Sequence, residues 1–368
     1  MRRLLVTGGA GFIGTNFVYY WKKKYPEDLV IVLDALTYAG NIENLDQIKN
    51  CPGFLFVHGN ILDQNLVGGI LRDHGVDTIV HFAAESHVDR SIHDPDAFIR
   101  TNVLGTHSLL KAAKTCWLDK GSGKPHRFHH VSTDEVYGTL EVNAPPFTEM
   151  TPYAPNSPYA ASKASSDHLV RAYHKTYGLG TTISNCSNNY GPFQFPEKLI
   201  PLCIANILDG KPLPVYGDGK QIRDWLYVDD HNRGVKCILE NGKEGETYNL
   251  GGNNEWTNID IVKFICKLTD ESIKRDESLV RCFSASPAAK NVLSETLITH
   301  VGDRSGHDRR YAVDSTKLVS QLGFAPKVPF ESGIRKTIGW YLENVRWWRR
   351  LMDRKYLDWM KDNYVQKL

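Results

Sequence analysis

The stretch TGGAGFIG, residues 7–14, follows the apolar run Leu4 to Thr7 and opens an amphipathic stretch. Its glycines have GxxGxxG spacing, and the same letters satisfy GxGxxG when counted from Gly9. Glycines at this spacing let a backbone turn tightly and approach a pyrophosphate, while the following helix N-terminus offers free N–H groups and a partial positive charge. The stretch therefore predicts a strand, a phosphate-binding turn and a helix, with the key glycines Gly8, Gly11 and Gly14.

A carboxylate follows at the sequence separation that is typical of a dinucleotide site. Asp34 stands twenty residues after Gly14 and ends a second apolar run, where it can accept hydrogen bonds from ribose hydroxyls. It would repel a 2′-phosphate, and no arginine follows it in ALTYAGN. We therefore expect NAD rather than NADP as the cofactor. The alternative is a surface Asp that ends a strand beside a structural glycine turn.

Apolar runs of strand length alternate with stretches of helical period through the first half of the chain. The predicted strands are Leu4 to Thr7, Val30 to Leu33, Phe54 to Val57, Thr78 to Phe82, Phe128 to Ser132 and Thr181 to Asn185, and the predicted crossover helices are Phe98 to Cys116 and Tyr159 to Tyr177. This βαβ rhythm predicts an α/β fold with a doubly wound parallel Rossmann sheet.

The rhythm fails beyond Gly191, where proline and glycine cluster at 192–219 and predict loops and short elements over the open end of the sheet. A helix-like stretch at 229–240 and a strand-like one at 246–252 then indicate a return to the first lobe. Residues 270–300 are weakly periodic and receive no assignment. We expect an NAD-binding domain at 1–190 with return segments at about 225–252, and a smaller, interleaved substrate-binding lobe at 191–224 and 253–330.

The last part of the chain, 331–368, has apolar residues at helical spacing from Glu331 to Met352, with Arg346, Arg349 and Arg350 between them. It predicts a C-terminal helical segment that packs on the body through its tryptophans. A helix lying on a membrane surface is the alternative, which the nearly balanced net charge disfavours.

Composition and cysteine usage limit the possible binding partners and cellular compartments of the protein. The 44 Lys and Arg residues against 42 Asp and Glu residues give a net charge of +2, which lacks the strongly basic balance typical of nucleic-acid binding. The seven cysteines are odd in number and widely spaced, so we expect reduced thiols. No run of 18 apolar residues and no signal-peptide core occurs. We expect a cytoplasmic protein that binds neither nucleic acid nor membrane.

Three histidines, His126, His129 and His130, raise the question of a metal site. They fall within a predicted strand, in which residues 129 and 130 point to opposite faces. No Cys or carboxylate set accompanies them at ligand spacing. We therefore expect no metal.

Tyr159 and Lys163 form a YxxxK pair, four residues apart near the start of a predicted helix, so both side chains share one face. A tyrosine becomes a base near neutral pH only when cations stabilise its phenolate, and Lys163 together with an oxidised nicotinamide ring would do so. Such a pair can remove a hydroxyl proton while hydride leaves for NAD. In isolation, the pair would be an ordinary solvated helix start.

Thr133, Asp134 and Glu135 end the predicted strand that begins at Phe128. Carboxyl ends of parallel strands face the crevice where ligands bind in open α/β sheets. Two adjacent carboxyl groups disfavour double ionisation, and unequal environments can keep one protonated and the other charged. The alternative is a polar strand end that caps local backbone amides.

The motifs TGGAGFIG, Asp34, TDEVYG and YAASK together resemble the extended short-chain dehydrogenase/reductase family. AAESHVDRSI at 83–92, STDEVYG, SNNYGPFQFPEKLIP at 187–201 and YGDGKQIRDWLYVDDH at 216–231 resemble, more narrowly, the dTDP-glucose 4,6-dehydratases over nearly the whole chain. Two departures occur, since Ser305 replaces a proline in DRSGH and Asn60 replaces an aspartate in GNI. Asn60 can still accept an adenine amino hydrogen through its amide oxygen.

The resemblance implies a dehydration of a nucleotide-linked hexose to its 4-keto-6-deoxy product. Oxidation at C4 by NAD makes the C5 proton acidic, and the C6 hydroxyl then leaves as water before hydride returns to C6. By resemblance, the catalytic residues are Thr133, which holds the C4 oxygen, Asp134 as acid at the C6 oxygen, Glu135 as base at C5, and the pair Tyr159 and Lys163. It also implies a homodimer joined through the helices at 98–116 and 159–177.

The same resemblance implies the binding residues. Cofactor contacts are implied for Gly8, Gly11, Phe12, Ile13, Gly14, Asp34, Ala35, Leu36, Thr37, Asn60, Ile61, Ala83, Ala84, Thr101, Tyr159, Lys163 and Asn189. Substrate contacts are implied for Ser86, His87, Thr133, Asn188, Lys198, Leu199, Pro214, Tyr216, Arg223, Asn258, Asp303, Arg304 and His307, among which Arg223 suits bidentate recognition of a diphosphate.

Three other readings remain open at this point. A UDP-hexose 4-epimerase would share the glycine turn, Tyr159 and Lys163, but would leave Asp134 and Glu135 idle, because hydride leaves and returns at C4. A dehydratase acting on another nucleotide-sugar would share every motif. A catalytically silent NAD-binding protein would have no physical need to keep the four chemical side chains together.

Overall fold

The computed structural model describes residues 1–121 and 125–352. Its strands, in chain order, are β1 (Arg3–Thr7), β2 (Leu29–Asp34), β3 (Phe54–His58), β4 (Thr78–His81), β5 (Arg127–Thr133), β6 (Thr181–Cys186), β7 (Asn188–Tyr190), β8 (Leu213–Tyr216), β9 (Ile222–Tyr227), β10 (Thr247–Leu250), β11 (Glu255–Thr257) and β12 (Ile298–Val301).

The α-helices are α1 (Phe12–Lys24), α2 (Gln64–Asp73), α3 (Val88–His93), α4 (Pro95–Phe98), α5 (Thr106–Lys114), α6 (Pro158–Tyr177), α7 (Leu199–Asp209), α8 (Val228–Asn241), α9 (Asn258–Lys274), α10 (Glu277–Cys282), α11 (Thr316–Leu322), α12 (Phe330–Glu343) and α13 (Val345–Leu351). Short 3₁₀ turns occur at Ile42–Leu45, Asp134–Tyr137, Pro287–Lys290 and Ser294–Leu297, and π-helical turns at Ile99–Gly105 and Thr115–Asp119.

Seven parallel strands form the central sheet in the order β10-β6-β5-β4-β1-β2-β3. Neighbouring residues of β1 pack into different apolar clusters, Leu4 and Val6 into one and Leu5 into the other. Both faces of the sheet are therefore buried, which explains why its strands read as continuous apolar runs. The predicted doubly wound parallel fold is confirmed.

The sheet brings the chemically interesting strand ends to one edge. Thr7 pairs with His81 in the register of β1 and β4, and Thr133 pairs with Cys186 in that of β5 and β6. All of these strands run in the same direction, so their carboxyl ends open onto a common crevice. The crossover α6 then returns its N-terminal turn to this same crevice.

The second half of the chain builds smaller sheets beyond this edge. β7, β9 and β11 form a three-stranded sheet, and β8 pairs with β12. An apolar cluster that includes residues of α7, α9 and α12 supports them. β10 returns to the central sheet beside β6, which is compatible with interleaved lobes. The domain boundaries given above stay a prediction.

Two local expectations need correction, and one unassigned stretch can now be described. The stretch predicted as one helix over 98–116 contains π-helical turns on both sides of α5 and ends later, at Asp119. The helical spacing from Glu331 to Met352 breaks at Asn344, whose φ of −111° and ψ of 38° are not helical, so α12 and α13 are separate. Residues 270–300, left unassigned, contain the end of α9, α10, two 3₁₀ turns and most of β12.

Two tryptophans in the described part of the C-terminal segment pack against the body. Trp348 is fully buried and its indole N–H donates to the Tyr341 carbonyl, while Trp347 donates to the Asn44 side chain. The rest of the predicted helical segment, 353–368, lies outside the described residues. In the part of the chain that is described, no helix has the length and apolarity to cross a membrane.

Candidate active site

The glycine turn between β1 and α1 leaves no room for side chains. Gly8 has a φ of +70°, which favours glycine, and a Cβ on Gly14 would lie 2.2 Å from the Gly8 carbonyl oxygen. Among the described residues, no side chain caps the N-terminus of α1. The turn therefore presents bare backbone and free N–H groups to the crevice, which fits the pyrophosphate of a dinucleotide.

Asp34 closes the second side of this site. Its Oδ2 accepts from the Ala10 N–H at 2.9 Å and its Oδ1 from the Leu36 N–H at 2.8 Å. Burial raises the pKa of Asp34, and these two backbone N–H groups oppose that effect. The carboxylate is thus held at the end of β2 with its remaining lone pairs available for ribose hydroxyls.

Almost all of the residues predicted to contact the cofactor line one deep cleft of about 310 Å³. Leu36 is the exception: it is absent from the described lining, and its side chain packs on the apolar cluster beneath β1 and β2. The members that line the cleft are Gly8, Gly11, Phe12, Ile13, Gly14, Asp34, Ala35, Thr37, Asn60, Ile61, Ala83, Ala84, Thr101, Tyr159, Lys163 and Asn189. The Asn60 Oδ1 already accepts from the Leu62 N–H at 2.9 Å.

Replacing Gly14 by alanine tests the close packing of the turn. Because the new Cβ would overlap the Gly8 carbonyl oxygen, we expect Gly14→Ala to lower the free energy of unfolding by about 1–3 kcal/mol and to reduce the NAD that copurifies with the protein. Thermal melting and the nucleotide content of the purified protein measure both effects. Gly69→Ala is the matched control, since only the Asp73 carboxylate, at 4.0 Å, approaches its Cβ position. Equal NAD content in the two variants would contradict the expectation.

The YxxxK pair sits on the first turns of α6. The Ser157 side chain accepts from the Ala160 N–H and Pro158 occupies the first turn, which fixes where the helix begins. Burial raises the pKa of Tyr159 well above its usual range, and the nearby Glu135 charge adds to this. Burial lowers the pKa of Lys163 to about 8. The Lys163 ammonium donates to the Val131 carbonyl at 2.7 Å, which anchors it beneath the cleft.

The two adjacent carboxyl groups occupy unequal environments. Burial and the Glu135 charge raise the pKa of Asp134 well above its usual range. Its Oδ1 accepts from the Thr133 hydroxyl at 3.3 Å, while its Oδ2 is buried without a partner among the described residues. Burial also raises the pKa of Glu135, but the charges of Arg304, Arg223 and Lys198 oppose this. The environment thus favours a neutral Asp134 beside a Glu135 that is more readily charged.

The residues predicted to contact the substrate fall into two groups. Ser86, Thr133, Asn188 and Lys198 line the cleft, and the Lys198 ammonium donates to the Ser86 carbonyl at 2.8 Å. The remaining predicted contacts lie outside its described lining: His87, Leu199, Pro214, Tyr216, Arg223, Asn258, Asp303, Arg304 and His307.

Asp89 organises part of the second group. Its carboxylate accepts from the Tyr216 hydroxyl at 2.9 Å and from the Arg304 guanidinium at 3.2 Å. The Tyr216 ring contacts the ring of His307 edge-on, with centroids 5.8 Å apart. Predicted contacts from two separate segments of the chain therefore meet around a carboxylate that sequence reasoning did not select.

Arg223 is already engaged by the protein. Its guanidinium donates to the carbonyls of Ile222 and Asp308 and lies over the Tyr311 ring, 4.2 Å from the centroid. These contacts hold the cation near Glu135, whose charge acts on it. The structure thus supports an electrostatic role for this arginine beside the carboxyl pair.

Several residues that line the cleft were missed by sequence reasoning. Glu197 pairs with Arg90 at 3.2 Å, and the Arg90 guanidinium lies 4.0 Å from the centroid of the Tyr38 ring. Gln194 and Glu197 could have been suspected, because both stand in the proline-rich segment just before Lys198. The missed members include Glu85, Ser132, Ser187, Gln194, Phe195 and Glu197.

Comparison with known proteins gives consistent similarities. Residues 5–337 match the family described as GDP-mannose 4,6 dehydratase. The chain is 50% identical to dTDP-glucose 4,6-dehydratase of Salmonella typhimurium over 98% of this chain and 99% of that protein. It is 51% identical to dTDP-glucose 4,6-dehydratase 1 of Escherichia coli, with the same coverage.

Solved structures show the same similarity. A dTDP-glucose 4,6-dehydratase from Streptomyces venezuelae, determined with NAD bound, has a TM-score of 0.82 and 47% identity, covering 95% of this chain and 99% of that one. A UDP-glucose 4-epimerase from Thermotoga maritima has a TM-score of 0.78 and 27% identity, covering 93% of this chain and 99% of that one. The fold is thus shared with both chemistries, whereas the higher identity lies on the side of the dehydratases.

Proposed function

The chain belongs to the dTDP-glucose 4,6-dehydratase family, and on that premise we propose how its residues convert dTDP-glucose to dTDP-4-keto-6-deoxy-glucose. It is an NAD-dependent hydro-lyase. When bound in the cleft, NAD would accept hydride from C4 of the sugar and return it to C6. The observation that carries the assignment of residues is the unequal pair of carboxyl groups, Asp134 and Glu135, beside Tyr159.

Tyr159 starts the reaction by taking the C4 hydroxyl proton. Its phenolate is unfavourable in this buried position, so the proton transfer depends on the Lys163 ammonium one turn further along α6. Thr133 lies beside Tyr159 and lowers the cost of its phenolate by a hydrogen bond. It can hold the C4 oxygen in the same place.

Asp134 and Glu135 then remove water across C5 and C6. The ketone at C4 makes the C5 proton acidic, and Glu135, stabilised as a carboxylate by three cationic side chains, accepts it. Asp134, held neutral by burial, donates its proton to the departing C6 oxygen. Glu135 returns its proton to C5 when hydride reaches C6. Tyr159, which holds the C4 hydroxyl proton, then gives one proton to solvent and Asp134 takes one up, so the residues end as they began. The net change is oxidation of C4, reduction of C6 and loss of one water.

Turnover on a panel of nucleotide-sugars tests this function. Incubated with dTDP-glucose and no added reductant, the protein should form a 4-keto product that absorbs in alkali. It should turn over dTDP-glucose faster than the UDP-, CDP- and GDP-linked hexoses. Formation of the galacto epimer alone would identify a 4-epimerase and overturn the proposal. A protein that binds NAD and converts none of the four would be the silent member of the family considered above.

We also propose a homodimer joined through the segment 98–116 and α6. Ile99 and Leu104 are 46% and 50% exposed on one segment, and Tyr177 is 47% exposed on α6. Exposed apolar side chains on both segments support an interface there. Gel filtration at micromolar concentration should give a dimer, and Leu104→Glu should shift the protein towards the monomer. A wild-type monomer under these conditions would contradict the proposal.

The proposed compartment is the reducing cytoplasm. All seven cysteines lie within the described residues, and all are free thiols. This supports a location in which disulfides do not form.

A further inference from the structure

Beneath the catalytic pair lies a buried carboxylate that the mechanism above does not use. Asp167 is fully buried on α6, one helical turn after Lys163. Its Oδ2 accepts from the Ser132 hydroxyl and from the Tyr153 hydroxyl, both at 2.9 Å. Burying a carboxylate is costly unless it is hydrogen-bonded and paired with a positive charge. The two hydroxyls supply hydrogen bonds to one oxygen of the carboxylate, so the positive charge has to come from groups near its other oxygen.

His130 connects this carboxylate to Lys163. The His130 Nε2 lies 3.3 Å from the Asp167 Oδ1 and 3.4 Å from the Lys163 ammonium nitrogen. Burial holds the pKa of His130 well below its usual range, so the ring is neutral and its Nε2 can accept from the Lys163 ammonium. The Asp167 Oδ1 lies close to the same nitrogen but has no hydrogen-bond partner among the described residues. The ring therefore lies between the carboxylate and the ammonium group.

The other groups around Lys163 do not supply a negative charge. Burial holds the pKa of His81, whose ring centroid lies 5.1 Å from that of His130, well below its usual range. Burial raises the pKa of the Cys186 thiol to about 12. Asp167 and Cys186 are the described groups whose charge would raise the pKa of Lys163. Because the thiol stays neutral, Asp167 alone acts in this way near neutral pH.

We propose that Asp167, acting through His130, is a positioning residue that keeps the Lys163 side chain in its ammonium form beside Tyr159. The inference rests on the proposed function, because it concerns the first proton transfer. The pair Tyr159 and Lys163 holds one proton either as phenolate with ammonium or as phenol with amine. A fixed negative charge beyond Lys163 favours the first arrangement, which is the one that can accept the C4 hydroxyl proton.

The Arg171 guanidinium and the phenol of Tyr153 complete the surroundings of Asp167. Arg171 donates to the Tyr153 hydroxyl at 2.9 Å and lies over its ring. Burial raises the pKa of Asp167, whereas Lys163, the two hydroxyls and Arg171 lower it. Four neighbours thus oppose protonation of Asp167, of which only Lys163 belongs to the reaction.

Asp167→Asn tests the proposal in a background that isolates the first step. In Glu135→Gln protein the reaction should stop after oxidation at C4, so formation of reduced nicotinamide can be followed in a single turnover across pH. Adding Asp167→Asn should lower the plateau rate at least about tenfold and move the midpoint of the acid limb to lower pH by about one unit. The sign follows because loss of the Asp167 charge lowers the pKa of Lys163 further below that of Tyr159. The pair then loses its first proton at lower pH, and a larger share of it is the inactive phenol with amine.

The controls separate charge from packing. Asp167→Glu keeps the negative charge and should restore the midpoint of the acid limb. Tyr153→Phe removes a hydrogen bond to Asp167 but leaves the charge of Asp167, so the midpoint should stay in place. Asp167→Ser replaces the asparagine variant if that protein does not fold. Loss of rate with an unmoved midpoint, or an unchanged plateau, would overturn the proposal. If Glu135→Gln alone forms no reduced nicotinamide, the proposed role of Glu135 in the elimination fails instead.

Discussion

Glu135→Gln should stop the reaction after its first step. We expect formation of the 4-keto-6-deoxy product to fall by about 10²–10⁴-fold, while reduced nicotinamide accumulates when dTDP-glucose is added. An amide of the same shape cannot accept the C5 proton, yet it leaves Tyr159 and Lys163 in place to complete the oxidation. Near-ultraviolet absorbance follows the reduced nicotinamide, and alkali treatment followed by absorbance measures the product.

Glu141→Gln is the matched control, because Glu141 is exposed and the chemical change is the same. It should keep wild-type turnover and show no accumulation. A Glu135→Gln protein that turns over at the wild-type rate would refute the assignment of the base. One that is inactive but forms no reduced nicotinamide would show that Glu135 acts in the oxidation instead of the elimination.

Tyr159→Phe should block the reaction before any electron moves. The phenyl ring keeps the packing of the buried side chain and removes the hydroxyl that takes the C4 proton. We expect the rate of oxidation to fall by about 10²–10⁴-fold, so that neither reduced nicotinamide nor keto product forms in the time of a wild-type turnover. The same two optical measurements distinguish this block from that of Glu135→Gln.

Tyr177→Phe provides the control on the same helix. Tyr177 is 47% exposed at the end of α6. Its ring contacts the Tyr173 ring and the Lys114 ammonium group rather than the cleft. Removal of the Tyr177 hydroxyl should leave turnover unchanged. Wild-type oxidation in Tyr159→Phe would contradict the role of Tyr159, and retained NAD in the variant shows that the cofactor site is intact.

The parts of the site that could be predicted from the sequence are those whose geometry is local. The glycine turn follows from backbone sterics over residues 8–14, and Tyr159 and Lys163 share a face because helix periodicity places residues four apart together. The position of Thr133, Asp134 and Glu135 at the cleft follows from the direction of a parallel strand. The parallel sheet follows from the alternation of apolar runs and helical stretches, which the seven strands confirm.

The corrections have equally local causes that spacing alone does not reveal. Apolar periodicity continues across Asn344 although the backbone there leaves the helical region, so the sequence suggests one helix where the chain forms two. Leu36, for which a cofactor contact is predicted, donates its backbone N–H to Asp34 and packs its side chain on the core. Its contact with the cofactor stays a prediction.

The sequence by itself determined the fold, the cofactor class and the residue types of the chemistry, because each depends on contacts within one turn or one strand and its crossover. Only the tertiary structure decided which charges meet. It placed Asp167 and His130 beneath Lys163 and gathered Tyr216 and Arg304 around Asp89. It also set the charges of three cations against protonation of Glu135, whereas the charges of Glu135 and Asp224 favour protonation of Asp134. The physical reason is that the proton affinity of a buried group depends on charges and burial supplied by segments far apart in the chain.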